Sequence, residues 1–238
     1  MPYKLEAIDL VDIRSEHARA IGAVNILVPI RAGDSPRVTA IKGDNTDWIG
    51  IYCSVEAHLS PVNAVSAHTT ALVIGAGGVA PATIYALAQL GVQHIFLYNR
   101  THSRAQILAE RFHDQPLPGG NARLQIHVIQ SLDVPAILST GRLAMPTIII
   151  SAAAAYLSLD LGWFGSKTGG VVLELNYINR AESKLLRVVE SRLRLKGWIP
   201  LDGLKSLPEQ AYRQFEMWTG KPAPRKAMLE SVLRQYAG

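Results

Sequence analysis

The sequence predicts an α/β fold in which a doubly wound parallel sheet is joined to a smaller, incomplete α/β unit. Five apolar runs have the length and composition of strands that are buried on both faces. These runs lie at residues 71–74, 94–98, 124–129, 147–151 and 171–175. Segments with apolar residues at helical spacing separate the runs, and strands that alternate with helices favour a parallel sheet over residues 71–200.

A glycine-rich turn between the first of these strands and the next helix has the spacing of a dinucleotide-binding turn. It reads Gly75-Ala76-Gly77-Gly78, and Ala80 follows in the third small position. Gly75 would permit the tight turn, Gly77 would let the backbone approach a pyrophosphate, and Ala80 would let the helix pack close to the strand. The free N–H groups and the positive end of the helix would then face the phosphates. The alternative is a packing turn that binds nothing.

Composition narrows the class of protein. A chain of 238 residues allows one large domain or two small ones. The single cysteine, Cys53, excludes an internal disulfide framework and suits a reducing compartment such as the cytoplasm. No apolar run reaches the roughly 18 residues of a membrane span, and the start lacks a signal-peptide pattern. The net charge is +5, and basic stretches at 180–196 and 225–234 fit solvated helix faces better than a nucleic-acid surface. We therefore expect no direct nucleic-acid partner, no membrane association and no metal.

The first sixty residues predict a small unit with only two strands. Apolar residues at helical spacing cover 5–13, antiparallel strands are expected at 23–30 and 38–42, and a helix is expected over 48–59. Two strands are too few for a self-sufficient sheet.

Past the glycine turn, the sequence predicts six helices, two loops and a last short strand. The helices are expected at 80–90, 104–112, 134–139, 181–196, 207–219 and 224–236, the loops at 113–122 and 163–170, and the strand at 198–200.

Three polar residues lie near the predicted elements of the first unit. Lys4 precedes a helix, Asp47 follows a strand and opens a helix, and Asn25 lies inside an otherwise apolar strand. Taken alone, Lys4 is more often a surface lysine and Asp47 a helix N-cap. A functional role is better supported for Asn25, because a buried amide needs hydrogen-bond partners.

The residues after the second strand of the large sheet bear on which dinucleotide would bind. NAD-selective sites place an Asp or Glu there, and that acid would repel a 2′-phosphate. Here Asn99, Arg100 and Thr101 follow the strand, and no acid appears before Glu110. Arg100 and Arg104 offer planar donors suited to a phosphate, whereas a helix N-terminus otherwise favours negative charge. The sequence therefore predicts NADP, with two solvated arginines as the alternative.

Several segments resemble the shikimate/quinate dehydrogenase family in order and spacing over nearly the whole chain. They are MPYK at 1–4, AIGAVN at 20–25, GDNTDWIG at 43–50, GAGG at 75–78, NRT at 99–101 and LPEQAYRQFEMWTG at 207–220. The first, third and last are specific to the family. The final third looks most like fungal members, which include the dehydrogenase module of the arom polypeptide and quinate-pathway repressor proteins.

The resemblance implies a Rossmann-type dinucleotide-binding domain, a truncated α/β substrate-binding domain and roles for particular residues. Lys4 and Asp47 would form the catalytic pair beside the hydroxyl that is oxidised. Asn25, Tyr177 and Gln210 would contact the substrate, a cyclohexene or cyclohexane carboxylate such as shikimate, dehydroshikimate or quinate. The cofactor-binding residues would be Gly75, Ala76, Gly77, Gly78, Asn99, Arg100, Thr101, Arg104 and Ser151.

The same resemblance suggests three parts of the chain. Residues 1–60 would be the partial substrate-binding domain, and residues 61–204 the NADP-binding domain. Residues 205–238 would form C-terminal helices that pack back on the first domain.

The sequence also departs from the family pattern. It starts at the MPxK segment, without the earlier Ser-x-Ser that binds the substrate carboxylate in the family, and Ser151-Ala152-Ala153 replaces the family's Asn-Ala-Thr. We therefore expect weak turnover and a tendency to self-associate. Three interpretations stay open: a cytoplasmic NADP-dependent dehydrogenase, a non-catalytic and then nuclear regulator that binds the same ligands, or a fragment of a larger polypeptide.

Overall fold

A three-stranded sheet forms the smaller unit of the computed structural model, which describes residues 3–33, 36–113, 117, 124–153, 159–176 and 183–236. The sheet contains β1 (Ile13–Arg14), β2 (Ile26–Arg31) and β3 (Val38–Asp44), with helices α1 (Glu16–Ile21) and α2 (Asp47–Glu56). β3 lies in the centre, parallel to β1 and antiparallel to β2. α2 begins three residues after β3 ends, so the junction between them presents its polar residues at one edge of this sheet.

The beginning of this unit differs from the expectation. The sequence predicted a helix over 5–13 and only two strands, whereas a 3-10 helix covers Glu6–Leu10 and β1 adds a third strand. Two cross-strand hydrogen bonds explain the difference. The Asp12 N–H donates to the Ile41 carbonyl at 3.0 Å, and the Asp12 carboxylate accepts from the Ile41 N–H at 2.7 Å. These contacts with β3 outweigh the local helical pattern.

The strand expected at 23–30 begins later, at Ile26. The Val24 N–H donates instead to the Lys4 carbonyl at 2.8 Å. This bond holds the start of the chain beside the entrance to β2, which fixes the backbone from which the Lys4 side chain extends.

A six-stranded parallel sheet forms the larger unit of the described residues. Its strands are β4 (Thr70–Ile74), β5 (His94–Tyr98), β6 (Gln125–Ile129), β7 (Ile148–Ser151), β8 (Gly170–Glu174) and β9 (Trp198–Asp202). Their spatial order is β6-β5-β4-β7-β8-β9, with every pairing parallel. That is the 3-2-1-4-5-6 order of a Rossmann fold, so the predicted fold class is confirmed.

The remaining helices pack around this sheet and across to the smaller unit. They are α3 (Ala80–Gln89), α4 (His102–His113), α5 (Ala136–Ser139), α6 (Lys184–Val188), α7 (Leu207–Thr219) and α8 (Arg225–Tyr236). No described helix is both long enough and apolar enough to cross a membrane.

The long helix expected over 181–196 is shorter and changes type. The Ser183 hydroxyl accepts from the Leu186 N–H at 3.2 Å and caps the start of α6, while residues 181 and 182 lie outside the described residues. A π-helical turn over Val189–Leu193 and a 3-10 turn then follow, and Gly197 ends the segment at φ 82°. The α-helical pattern in the sequence therefore covers a mixed segment.

One of the two expected loops is partly helical. The loop expected at 163–170 contains the end of a 3-10 helix, Leu161–Phe164, because the Asp160 carboxylate accepts from the Gly162 N–H at 2.5 Å and caps it. Most of the loop expected at 113–122 lies outside the described residues.

The central strands β4, β7 and β8 are buried on both faces of the sheet, which explains their apolar runs. One face packs Leu72 and Ile149 against α6, and the other packs Val73 and Ile150 against the fully buried helix α3. α3 is rich in alanine and lies between the sheet and α2, so the two units share one core.

Three aromatic side chains join the units at this shared core. Trp48 of α2 and Tyr85 of α3 have ring centroids 5.3 Å apart, and His17 of α1 lies 5.0 Å from Trp48. The His17 Nδ1 and the Tyr85 hydroxyl form a 2.9 Å hydrogen bond. Burial raises the pKa of Tyr85 to about 12, so its hydroxyl stays protonated.

Replacing Leu72 by Ala should test the core of the sheet. Leu72 is fully buried, so the substitution should lower the free energy of unfolding by about 2–5 kcal/mol. Urea unfolding followed by tryptophan fluorescence measures this loss. Leu195→Ala is the control: its side chain is fully exposed, so the change should stay within about 0.5 kcal/mol. Equal losses in the two variants would contradict the assigned core.

The stability of the fold should decrease in weak acid because of two stacked histidines. His94 Nδ1 lies 3.3 Å from His127 Nε2, and burial is the larger cause that lowers both pKa values. The charge of His68 lowers the pKa of His94 further, and that of His94 lowers the pKa of His127. The unfolded chain therefore binds more protons, so stability should fall as the pH drops through the ordinary histidine value of about 6.5.

Urea unfolding of the native chain and of His127→Gln at pH 7.5 and 5.5 checks this dependence. The native chain should lose more stability over this interval than the variant does. An identical loss in both proteins would show that the pair does not cause the effect.

Candidate active site

Lys4 and Asp47 form an ion pair beside the first turn of α2. The Lys4 Nζ donates to the Asp47 Oδ2 at 2.5 Å, and the side chains are 14% and 3% exposed. Asp47 is the first residue of α2, where its negative charge is also favoured by the helix dipole. The sequence named these two residues as a pair, and the structure places them in contact.

The second oxygen of the Asp47 carboxylate also accepts a hydrogen bond. The Asn25 Nδ2 donates to the Asp47 Oδ1 at 3.0 Å and to the Thr46 Oγ1 at 3.1 Å. The Asn25 Oδ1 accepts from the Thr46 N–H at 2.8 Å. A buried carboxylate is stable when it is paired and its remaining lone pairs are satisfied, and both conditions hold here. The position of Asp47 is therefore fixed by groups on both sides of its carboxylate.

A small cavity of about 160 Å³ opens beside the pair. It brings together Lys4, Asp47 and Gln210, three of the residues that the sequence singled out, although they are far apart in the chain. The rest of the wall contains the polar residues Asn176 and Ser206 and three apolar residues, among them Val79, which precedes the first residue of α3. The cavity therefore lies between the ion pair and the end of the glycine turn.

Helix α7 brings Gln210 to this cavity. The Gln214 Nε2 donates to the Thr46 Oγ1 at 2.9 Å, and the Trp218 Nε1 donates to the Leu27 carbonyl at 2.9 Å. A side chain at Gly50 of α2 would collide with Gln210, so the glycine permits this close approach. Tyr177, the remaining candidate, lies outside the described residues, but its neighbour Asn176 lines the cavity.

A second cavity, of about 480 Å³, lies over the glycine turn at the carboxyl ends of β4 and β5. Six predicted cofactor residues line it: Gly75, Ala76, Gly77, Asn99, Arg100 and Arg104. The Asn99 Oδ1 accepts from the Ala76 N–H at 3.1 Å, and the Asn99 Nδ2 donates to the Thr101 carbonyl at 2.8 Å. Asn99 therefore joins the glycine turn to the loop that carries the arginines.

Three other predicted cofactor residues, Gly78, Thr101 and Ser151, are not among the residues that line this cavity. Ser151 is buried at the end of β7, where its hydroxyl hydrogen-bonds to the Glu174 carboxyl. Ala152 and Ala153, which directly follow Ser151, do line the cavity.

The residues present fit a dinucleotide phosphate. Gly75 has a φ of 111°, which favours glycine, and an added Cβ would press on the backbone of Ala152 at 3.0 Å. An added Cβ at Gly77 would meet nothing within 4 Å, so that backbone is open to a ligand. Arg100 and Arg104 are exposed, and within the described ranges neither guanidinium group forms a hydrogen bond or an ion pair. The cavity therefore combines a backbone that a ligand can approach with two guanidinium groups that have no partner among the described residues.

Sequence reasoning missed several polar groups at the site. Thr46 and Asn45 fix the ion pair, since the Asp47 N–H also donates to the Asn45 Oδ1 at 3.0 Å. Gln214 follows Gln210 by four residues on α7, and that spacing could have revealed a second polar side chain on the same face.

Glu174 is another missed residue. It is 5% exposed at the end of β8. Burial raises its pKa to about 7, against the opposing effect of hydrogen bonds from Ser151, Asn176 and Ser183. No sequence pattern marks a single glutamate at the end of an apolar strand. Metal-binding groups are not evident: the described part of the chain holds no cluster of three His, Cys, Asp or Glu side chains suited to an ion.

Comparison with known families gives two matches. The family described as "Shikimate / quinate 5-dehydrogenase" matches residues 60–154, and "Shikimate 5'-dehydrogenase C-terminal domain" matches residues 203–233. Together they span more than half of the chain.

Curated fungal proteins are similar over almost the whole chain. The quinate repressor protein of Emericella nidulans is 42% identical and covers 99% of the chain, and the pentafunctional AROM polypeptide of Mycosarcoma maydis is 34% identical and covers 98%. The chain spans only 28% of the repressor and 14% of the polypeptide.

Solved structures share the fold. The dehydroquinate dehydratase and shikimate dehydrogenase of S. pombe AroM is 32% identical, with a TM-score of 0.71, over 98% of this chain and 42% of that one. Quinate dehydrogenase from Corynebacterium glutamicum, solved in complex with NAD, is 27% identical, with a TM-score of 0.74, over 98% of this chain and 75% of that one. The family models and these relatives show that the chain belongs to the shikimate/quinate dehydrogenase family.

Proposed function

We propose that the chain carries an NADP-dependent dehydrogenase site of the shikimate/quinate type. It would oxidise or reduce a ring hydroxyl of a cyclohexene or cyclohexane carboxylate, as in the conversion of 3-dehydroshikimate to shikimate. The observation that supports this proposal most is the buried Lys4–Asp47 pair, which faces a cavity between Gln210 and the start of α3.

The pair suits proton transfer at the reacting oxygen. Oxidation of a secondary alcohol releases a proton as hydride leaves, and a bound nicotinamide would supply the hydride acceptor. Lys4, in its neutral form, would take the hydroxyl proton, and in the reverse direction its ammonium would return the proton to the carbonyl oxygen. Asp47 would hold the Lys4 nitrogen in place through the 2.5 Å contact and offset its positive charge.

The proposed substrate contacts divide into two kinds. Gln210 lines the cavity and its amide is available to substrate hydroxyls, as Tyr177 would be in the family pattern. Asn25 already uses its Nδ2 group on Asp47 and Thr46. It would therefore support the catalytic pair directly and contact a substrate hydroxyl only by exchanging one of these bonds.

The proposed preference for NADP rests on Arg100 and Arg104. Both guanidinium groups line the larger cavity and are exposed, and the loop that carries Arg100 brings no acid to the cavity wall. A 2′-phosphate would find planar donors there. Since the Corynebacterium structure was solved with NAD, the preference of this chain needs its own measurement.

We keep the three-part division of the chain as part of this proposal. Residues 1–60 would bind the substrate, residues 61–204 the dinucleotide, and residues 205–238 would close the substrate side through α7. Self-association stays a prediction, for which the exposed Leu10, Ile13 and Ile41 of the smaller unit provide an apolar surface.

A ligand-binding regulator is the second candidate. The 42% identity to a quinate repressor protein favours it. Such a protein would bind the same acid and the dinucleotide without turnover, and it would act in the nucleus rather than the cytoplasm. Retained binding of NADP and quinate, together with no change in absorbance at 340 nm on mixing, would support this candidate over the enzyme.

Lys4→Ala should lower turnover by about 100-fold or more, the usual effect of removing a general acid–base group. The reduction of NADP by shikimate or quinate, followed by absorbance, measures this effect. Substrate binding should change less, because Gln210 remains in place. Lys196→Ala is the control, since that lysine is exposed and remote from both cavities. Unchanged turnover in Lys4→Ala would remove the lysine from the mechanism.

Arg100→Ala should weaken the binding of NADP by about tenfold or more and leave the binding of NAD nearly unchanged, because a charge-assisted contact to phosphate contributes about 1.5–3 kcal/mol. Calorimetry with each dinucleotide measures the two affinities. Arg142→Ala, which removes an exposed arginine outside the cavity, provides the matched control. Tighter binding of NAD than of NADP by the native chain would refute the preference.

A further inference from the structure

We propose that Glu174 is a positioning residue whose carboxylate, through Asn176, holds the larger cavity and the Lys4 cavity in a fixed arrangement. The inference rests on the proposed function, because it assigns a role within the same site. It concerns a residue that faces neither cavity directly.

Glu174 collects donors from three separate elements. Its Oε1 accepts from the Asn176 Nδ2 at 3.0 Å, and its carboxyl also hydrogen-bonds to the hydroxyls of Ser151 and Ser183. Ser151 ends β7, Asn176 follows β8, and Ser183 caps α6. One buried carboxyl group therefore joins the carboxyl ends of two neighbouring strands to the start of the next helix.

Asn176 extends this connection to both cavities. Its Nδ2 group also donates to the Ala153 carbonyl. Ala153 lines the cavity over the glycine turn, and Asn176 itself lines the cavity that holds Lys4, Asp47 and Gln210. A shift of this amide would therefore move one wall of each cavity at the same time.

The hydrogen bonds from Ser151, Asn176 and Ser183 require an acceptor at residue 174. All three neighbours donate, so the ionised carboxylate satisfies every one of them. When the carboxyl group is protonated, one oxygen becomes a donor, and the bonds that the group accepts weaken because they are no longer charge-assisted. Burial raises the pKa of Glu174 to about 7, so this change falls within an accessible pH range.

The charged groups on the described elements around Glu174 are not among the causes of its pKa shift. Asp202 of β9 pairs in register with Glu174, and Lys184 and Arg187 lie on α6 with exposed side chains. The pKa of Glu174 is raised by burial and lowered by hydrogen bonds from uncharged donors. The carboxylate is therefore held mainly by neutral groups, and we expect its protonation to change near pH 7.

Glu174→Gln tests the role, because glutamine keeps the size of the side chain and replaces one acceptor oxygen with a donor. Calorimetry at pH 8 should show NADP binding weakened about tenfold, which corresponds to about 1.4 kcal/mol. Asp202→Asn is the matched control, since Asp202 occupies the same register on the next strand and its Oδ1 has no partner among the described residues. The control should bind NADP within about twofold of the native chain.

The pH dependence separates positioning from a merely structural role. Between pH 8 and 6.5 the native chain and Asp202→Asn should lose NADP affinity by the same factor, and Glu174→Gln should lose less. The melting temperature of Glu174→Gln at pH 8 should equal or exceed the native value, because burial opposes ionisation of the native group.

The proposal is overturned if Glu174→Gln binds NADP like the native chain at both pH values, or if its affinity and melting temperature fall together. Should this variant fail to fold, Asn176→Ala removes the same bridge and should weaken NADP binding by a similar factor, and native affinity there would equally overturn it. The measurements use binding alone, so an absence of turnover would count against the enzyme and leave this test intact.

Discussion

The buried charge of Asp47 is the constraint on which the smaller unit depends. A carboxylate that is almost removed from water must be paired and hydrogen-bonded, or it destabilises the fold. Lys4 supplies the opposite charge and Asn25 the second donor, so two distant segments have to meet at the start of α2. The backbone bond from Val24 to the Lys4 carbonyl and the antiparallel pairing of β2 with β3 bring them there.

Two of the buried carboxyl groups, Asp47 and Glu174, have neighbours of different charge. Asp47 lies against an ammonium group, and its charge is offset at short range. Glu174 lies among hydroxyl and amide donors, which lower its pKa less than burial raises it. The first group is suited to hold a cation at the reacting atom, and the second to respond to a change in pH near neutrality.

How much the sequence predicts depends on the range of the interactions. The central strands β4, β7 and β8 were predictable because each is buried on both faces and reads as a local apolar run. The glycine turn was predictable from its spacing, and Gly75 has the positive φ and Gly77 the open surroundings that this spacing implies. The short strand β1 was not, since it forms through its pairing with β3 and the adjoining contacts between Asp12 and Ile41.

The same distinction applies to the site. The proximity of Lys4 and Asp47 followed from a family resemblance, since no local pattern joins residues that are 43 positions apart. Glu174 escaped notice because two of its three partners, Ser151 of β7 and Ser183 at the start of α6, are brought to it only by the folded sheet.

Helix α7 has few fully buried residues. Only Gln210 and Tyr212 of this helix are buried, and side-chain hydrogen bonds from Gln214 and Trp218 complete its attachment. Segments with little buried apolar surface open at a lower free energy than the core of a sheet. Detachment of α7 would expose the ion pair to water while the parallel sheet stays folded.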